Sequence, residues 1–339
     1  MTCPGASQGL TVGTDCSGME SVILALRELG VPHSHLFSSE VCEHALKVIR
    51  ANARPAALFR DITERALEEV PRVDLYVAGP PCQAYSMMNT RRDTPPPPSE
   101  RPTVFASCLA YIRDKEPRIW ILENVRGLLS AQKGRVWRHI SVELDAMRES
   151  YVWEYAILDS CEYGCPQSRP RVYIVGLHRS LGHEHVPWPA RVPLRSSCLD
   201  VLDDTTEGRT IAPSSCYYRM CDAWGLPRDT RCIIEFNGAS RSYPVYKQPP
   251  TRLSEAQRAS VARTEVSACM VSHDPGMAAL HLRRFLNADE LLRLQGYDPR
   301  RVRVPTTLTA VQFAAIVGNA MNGCVLKALL SMLVPLLRS

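Results

Sequence analysis

The sequence holds no Cys-x-x-Cys pair, although it contains 13 cysteines. Its closest couples, Cys161/Cys165 and Cys216/Cys221, lack zinc-finger spacing, so no structural metal is expected. Residues 1–9 lack the apolar core and basic flank of a signal peptide, which places the thiols, as free cysteines, in a reducing, intracellular compartment. No uninterrupted apolar run reaches the roughly 20 residues that span a bilayer. The longest candidate, 324–337, contains Lys327 and Pro335 and reads as a C-terminal amphipathic helix, so no membrane partner is expected. Internal repeats are absent. Charge of one sign is also scarce: the formal excess of +5 permits an anionic partner without requiring one. Residues 181–275 carry eleven Lys/Arg and eleven Asp/Glu, whereas 281–303 carry six arginines against three acids. Such a run is either a solvated face or a strip facing phosphates.

What is present is a chain of 339 residues, 45% hydrophobic, enough for one large domain or two unequal ones. Its first half alternates strand-like and helix-like segments: strands at 10–14, 35–39, 75–78, 118–122, 153–158 and 171–177, helices at 20–29, 41–52, 103–114 and 136–149. The alternation predicts an α/β fold with a doubly wound sheet whose ligands sit at the carboxyl ends of the strands. Between 181 and 280 it is lost, with one clear strand at 231–236. Helical pattern resumes at 288–295 and from 308 onward. The expected division is a main domain of 1–180 plus 281–339 and a second, smaller irregular domain of 181–280.

Chemistry-bearing residues stand at the strand ends. Gly79-Pro80-Pro81-Cys82-Gln83 follows strand 75–78 and runs into Ala84-Tyr85-Ser86. A lone cysteine after a strand is ordinarily a small buried hydrophobe. Two prolines, however, fix φ and restrict their predecessors, which suits a nucleophile held in near-attack geometry. Residues 87–103, with Arg91, Arg92 and the four consecutive prolines Pro95 to Pro98, form a loop long enough for a lid or a spacer. Thr14-Asp15-Cys16-Ser17-Gly18 is a small-residue turn opening a helix. Glu40 and Val41 follow the second strand, where a carboxylate suits ribose hydroxyls or a helix N-terminus. Asp61-Ile62 reads by itself as a helix cap before 63–70. Glu123-Asn124-Val125 follows a core strand, where an acid is costly unless paired or used. On one strand, Gln167, Arg169 and Arg171 would project to a single face and suit a polar or anionic substrate. Gly318-Asn319 precedes the last helix.

Together and in this order, these segments resemble the cytosine-C5 DNA methyltransferase family over nearly the whole chain apart from 181–280. The resemblance implies a Rossmann-like methyltransferase sheet with a target-recognition domain in 181–280. It implies S-adenosyl-L-methionine as cofactor, with S-adenosyl-L-homocysteine as product. Cys16, Ser17 and Gly18 would cradle the cofactor, Glu40 with Val41 would hold its ribose, and Asp61 with Ile62 its adenine. Pro80 and Asn319 would complete the pocket. Cys82 would attack C6 of a flipped cytosine. Glu123 would bond N3 and the exocyclic amine, Arg171 O2, and Arg169, supported by Gln167, would position Cys82 or a nearby phosphate. Ser86, Arg91 and Arg92 would face the nucleic acid. The implied partner is DNA, with the protein monomeric and located in the nucleus of a eukaryote or the cytoplasm otherwise. A tRNA cytosine-C5 methyltransferase and a non-catalytic regulatory homologue are the alternatives. The first motif departs from the family: Thr14 stands in the place of its acid, Cys16 in that of its aromatic, and Glu20 where a second glycine is common.

Overall fold

The computed structural model describes residues 9–81, 103–203, 208–212, 215–235, 262–270 and 277–338. They fall into two compact units. The first comprises Met1–Asp159, Pro170–Ala190 and Val325–Ser339; the second comprises Ser160–Arg169 and Arg191–Cys324. The second unit therefore takes in all of 281–324 and the short segment 160–169, which the sequence division assigned to the main domain.

The first unit is built on seven strands: β1 (Leu10–Asp15), β2 (His33–Ser39), β3 (Ala57–Phe59), β4 (Leu75–Ala78), β5 (Ile119–Val125), β6 (Tyr151–Asp159) and β7 (Pro170–His178). Their order is β3-β2-β1-β4-β5-β7-β6. All neighbours pair in parallel except β7, which is antiparallel to both β5 and β6. Helices α1 (Ser21–Glu28), α2 (Glu43–Asn52), α3 (Val104–Lys115) and α4 (Arg135–Asp145) make the crossovers. The chain leaves β1 toward β2 and β3 and later returns to β4 on the opposite side. The junction of β1 and β4 is thus the switch point at which such sheets bind ligands. Tyr76, Tyr111, Trp120, Tyr151 and Phe37 are fully buried in the core. Gly13 is required by this packing, because a Cβ there would lie 2.1 Å from the Phe37 ring.

Three expectations change. Strand β5 runs through Val125, so Glu123 lies within it, because β7 pairs with it as far as the Val125–Arg171 register. Residues 63–70 form turns and a short 3-10 segment, Leu67–Glu69, rather than an α-helix. The helix expected over 136–149 ends at Asp145.

The second unit contains a four-stranded sheet, order β11-β10-β8-β9, from β8 (Ile233–Glu235), β9 (Ala262–Arg263), β10 (Met277–Ala279) and β11 (Arg284–Phe285). Helix α5 (Cys216–Trp224), which the sequence pattern did not reveal, contributes Trp224, Cys221 and Tyr218 to its core beside Ile234, Leu280 and Phe285. Arg284 begins strand β11. Helix α6 (Ala288–Leu294) starts behind it with a capping box in which Asn287 and Glu290 satisfy each other's backbone N–H.

Two more helices follow, α7 (Ala310–Asn319) and α8 (Gly323–Leu333). By length and composition, Ala310–Leu337 could cross a membrane, a stretch longer than the sequence reading allowed; 56% of its apolar window is buried inside the protein. The backbone also turns extended at Ala320 (φ −65°, ψ 149°), so the stretch is two core helices. Within the first unit, Lys327 of α8 meets Glu28 of α1 at 2.6 Å.

Candidate active site

The ends of β1, β2 and β4 converge at the switch point. Asp15, the last residue of β1, is buried, and its carboxylate is gripped in bidentate fashion by Arg65 at 2.6 Å through both guanidinium nitrogens. Tyr76 of β4 donates to the same carboxylate at 2.6 Å. Arg65 also donates to Ser39 Oγ at the end of β2. Its guanidinium sits among three aromatic rings, Phe37 (5.4 Å), Phe59 (5.5 Å) and Tyr111 (5.8 Å). Arg65 is itself in the turn that starts at Asp61, to whose carbonyl its N–H donates. One buried side chain therefore joins three strand-end segments. Nothing local in the sequence pairs Arg65 with a residue fifty positions earlier, and sequence reading missed it.

Beyond Asp15 the chain makes a tight turn. Cys16 is left-handed (φ 52°), and burial pushes its thiol well up, so it is a neutral wall rather than a nucleophile. Ser17 N donates to Ser39 O at 3.2 Å. Gly18 has φ +57°, and a Cβ on it would meet nothing within 4 Å, so there is open space above this turn. Its N–H donates to Glu40 Oε2 at 2.8 Å, while Cys42 N–H donates to Glu40 Oε1 at 2.8 Å. Glu40 thus bridges the first turn and the start of α2, and each oxygen keeps a lone pair. Val41 beside it is exposed. Asp61 Oδ1 accepts from Thr63 N (2.8 Å) and Thr63 Oγ1 (2.7 Å), and Ile62 is buried. An oriented carboxylate after the second strand, an apolar side chain next to it and a backbone turn open to space fit a nucleoside cofactor.

Gly79 N–H donates to Asp15 O at 3.3 Å, which ties the β4 turn to β1. Pro80 is buried, and its carbonyl accepts from Asn124 Nδ2 at 3.2 Å. Asn124, itself buried, is a second residue whose role the sequence did not show; it fixes the turn that leads to Cys82. Cys82, Ser86, Arg91 and Arg92 lie outside the described residues.

Glu123 and Arg171 face each other on β5 and β7. Arg171 Nε lies 3.3 Å from Glu123 Oε1, and both side chains are largely buried. The other two members of the arginine motif are placed differently from the single strand face expected for them. Only Arg171 is on β7, which begins at Pro170; proline has no N–H to donate to a ladder and sits at the first position of the strand. Gln167 and Arg169 belong to the second unit. Gln167 is fully buried in a bridge with Ser267, and its side-chain amide has no hydrogen-bond partner among the described residues. Arg169 is buried and donates to the carbonyls of Met270 (3.0 Å), Gly318 (2.9 Å) and Ala320 (2.9 Å). Those bonds hold the backbone on either side of Asn319, whose side chain is exposed. Gln295 Nε2 adds a bond to Val317 O at 2.9 Å. Arg169 is therefore a clamp on the turn after α7. The arginine run at 281–303 is likewise divided: Arg284 pairs with buried Glu290 at 2.8 Å and Arg293 donates to Val201 O, while Arg300, Arg301 and Arg303 are exposed.

Comparison with known proteins agrees with this architecture. The family model described as C-5 cytosine-specific DNA methylase matches residues 15–334. The Type II methyltransferase M.HpaII of Haemophilus parainfluenzae is 34% identical over 198 residues, covering 56% of this chain and 52% of that protein. M.SsoII of Shigella sonnei is 28% identical over 219 residues, covering 63% and 53%. The chain thus spans about half the length of these curated relatives. Among solved structures, the Entamoeba histolytica methyltransferase EhMeth superposes with TM-score 0.66 at 16% identity, over 98% of this chain and 100% of that one. A Spodoptera frugiperda DNMT2 variant superposes with TM-score 0.64 at 16% identity, over 96% and 99%. With the motifs in order on a sheet of this topology and a family match over nearly its whole length, the chain belongs to the C-5 cytosine-specific DNA methylase family.

Proposed function

We propose that this chain is an S-adenosyl-L-methionine-dependent DNA (cytosine-5-)-methyltransferase. The observation that carries the reading is the carboxylate–guanidinium pair Glu123–Arg171, one residue from the Asn124 bond that holds Pro80 and the turn leading to Cys82. A planar acid and a planar base side by side match one edge of a cytosine, with N3 and the exocyclic amine toward Glu123 and O2 toward Arg171. The base reaches such a site only when flipped from the duplex. The Cys82 thiolate then adds to C6 as Glu123 supports a proton on N3, so that the displaced electron pair makes C5 nucleophilic. S-adenosyl-L-methionine, when bound, supplies the methyl group that C5 takes. Loss of the C5 proton and of the Cys82–C6 bond restores the aromatic ring and the thiolate. A free thiol has pKa about 8.5, so the pocket or the substrate must favour the Cys82 thiolate.

Glu40, with Val41 beside it, would hold the ribose, Asp61 and Ile62 the adenine, and Cys16, Ser17 and Gly18 the methionine end, with Pro80 as a further wall. Arg169 holds the backbone on either side of Asn319, and Ser86, Arg91 and Arg92 would contact the nucleic acid. Residues 181–280 would recognise the target sequence. Ten of the cysteines among the described residues are in no disulfide, which supports a reducing, intracellular location.

The test is tritium transfer from labelled cofactor to DNA. Transfer abolished by Cys82→Ala is the expected result, and no transfer to DNA of any sequence would refute the assignment. A tRNA in the same assay decides between the two nucleic acids. A 5-fluorocytosine oligonucleotide that forms no covalent adduct would point to a non-catalytic homologue.

A further inference from the structure

Glu20 is the residue the proposed chemistry does not use and the fold does not explain. It sits at the N-cap of α1 in left-handed geometry (φ 63°, ψ 49°), where a residue with a Cβ costs about 1–2 kcal/mol relative to glycine. Its side chain makes no cap hydrogen bond to the helix. Instead the fully buried carboxyl group turns under the Cys16–Gly18 turn. Thr14 Oγ1 donates to it (2.9 Å to Oε1, 3.1 Å to Oε2), and so does Ser38 Oγ. Ser17 Oγ, in the turn itself, lies 2.9 Å from Thr14 Oγ1. The acid absent from position 14 is thus supplied by position 20, and a hydroxyl chain joins it to the turn.

The charges around this group are those of an incomplete site. On β2, His35 Nε2 lies 3.8 Å from Glu20 Oε1, but burial lowers the His35 pKa to about 4, so at neutral pH it brings no positive charge. Glu40, after β2, is a second acid. Asp15, next along β1, is already satisfied by Arg65. His35 is the only group among the described residues within ion-pair distance of Glu20. Burial without a counter-charge pushes the Glu20 carboxyl up to about 7, against the pull of the Ser38, Thr14 and Ser17 hydroxyls.

We propose that Glu20 is a positioning residue that reads the charge of the ligand on the Gly18 turn: it is protonated without a cation there and gives its proton to solvent when a cationic ligand binds. This rests on the reading of the turn as the S-adenosyl-L-methionine seat. That cofactor carries a sulfonium, whereas S-adenosyl-L-homocysteine has a neutral sulfur. Ionised Glu20 therefore favours the methyl donor over the spent product, and the preference grows as pH rises through 7.

The experiment is calorimetric titration of the full chain with each of the two molecules between pH 5.5 and 7.5, in two buffers of different ionisation enthalpy. Methyl-donor affinity should rise about tenfold over this range, one decade for each pKa unit by which the ligand shifts the acid, with proton release into the buffer. Product affinity should rise much less. Glu20→Gln, which keeps the hydrogen-bond acceptor, should flatten the profile and narrow the donor-to-product ratio. Glu20→Gly, which suits the left-handed backbone, should do the same and guards against misfolding of the first variant. A wild-type donor-to-product ratio independent of pH, or a pH dependence that survives in both variants, overturns the proposal alone. Failure of either molecule to bind the wild type at any pH overturns the cofactor reading as well.

Discussion

Arg171 Nε stands 3.3 Å from Glu123 Oε1 on a diagonal of the antiparallel β5–β7 pair, where Glu123 is opposite Tyr173 and Arg171 opposite Val125. Residues 123 and 125 share a face of β5, so the register delivers both groups to one side of the sheet. The first prediction follows from this pair. Glu123→Gln keeps shape and hydrogen-bond capacity but cannot hold the N3 proton. Its kcat for methyl transfer should fall by about 10²–10⁴, the range for loss of an acid–base group. Unfolding stability should fall as well, since Gln leaves the largely buried Arg171 guanidinium without its counter-charge, so kcat is compared at a temperature where the variant is folded. A variant with near wild-type turnover would remove Glu123 from the chemistry.

Arg65 leads to the second prediction. Removing one partner of a buried ion pair typically costs about 3–5 kcal/mol, because the other charge is left uncompensated. Arg65→Met should lower unfolding stability by that amount in a denaturant titration, and weaken cofactor binding through the freed ends of β1 and β2. Pairing it with Asp15→Asn should recover part of the loss by removing the stranded charge. An additive double variant would show that the two side chains act independently.

Most of this sheet was legible in the sequence because strands buried on both faces read as short, continuous apolar runs, such as Leu75-Tyr76-Val77-Ala78 and Ile119-Trp120-Ile121-Leu122. The strand ends that carry Gly18, Glu40 and Pro80 were legible for the same reason, since each run announces its own terminus, whereas Glu123 lies inside β5, which runs on to Val125. What stayed hidden depends on distant contacts. Arg65 has meaning only beside Asp15, and Asn124 only beside Pro80. Arg169 reads as a surface cation until its three carbonyl acceptors, from residues 270, 318 and 320, are in place. The alternation Gln167-x-Arg169-x-Arg171 suggested a strand face, but the strand starts only at Pro170. The Glu20 side chain likewise gains its role from hydroxyls on β1 and β2.

Glu20 and His35 predict opposing pH dependences of stability. Glu20 titrates near 7 when folded and near 4.5 otherwise, so the folded state binds more protons between those values and stability falls as pH rises through that window. His35 titrates near 4 when folded and near 6.5 otherwise, so its contribution is present above 6.5 and is lost as pH falls toward 4. Each effect amounts to about 3 kcal/mol, and over pH 4.5–6.5 they nearly cancel. Glu20→Gln should therefore unmask a stability that rises with pH across that window, while His35→Gln should unmask one that falls. Urea unfolding at half-unit pH steps measures both, and identical slopes in wild type and variants would contradict the assignment.

Asn124 supplies the last prediction. Its Nδ2 donates to the Pro80 carbonyl from inside the sheet, so the turn that leads to Cys82 is held from β5 as well as by its own prolines. Asn124→Ala removes that bond and strands a buried carbonyl, a loss of about 1–3 kcal/mol in stability. Its larger effect should be on geometry, since a displacement of about 1 Å at a nucleophile can cost some 10²-fold in rate. The expected signature is a fall in kcat and in adduct formation with a 5-fluorocytosine oligonucleotide, with cofactor affinity almost unchanged, because Glu40 and Gly18 are bonded to each other rather than to Asn124. Asn124→Asp, which cannot donate through its carboxylate, should behave like the alanine variant. Asn124→Gln, a donor with one more methylene, should recover part of the rate if reach rather than charge is the limit. Equal loss of cofactor affinity and rate in all three would show instead that Asn124 supports the whole sheet end and not the Pro80 turn in particular.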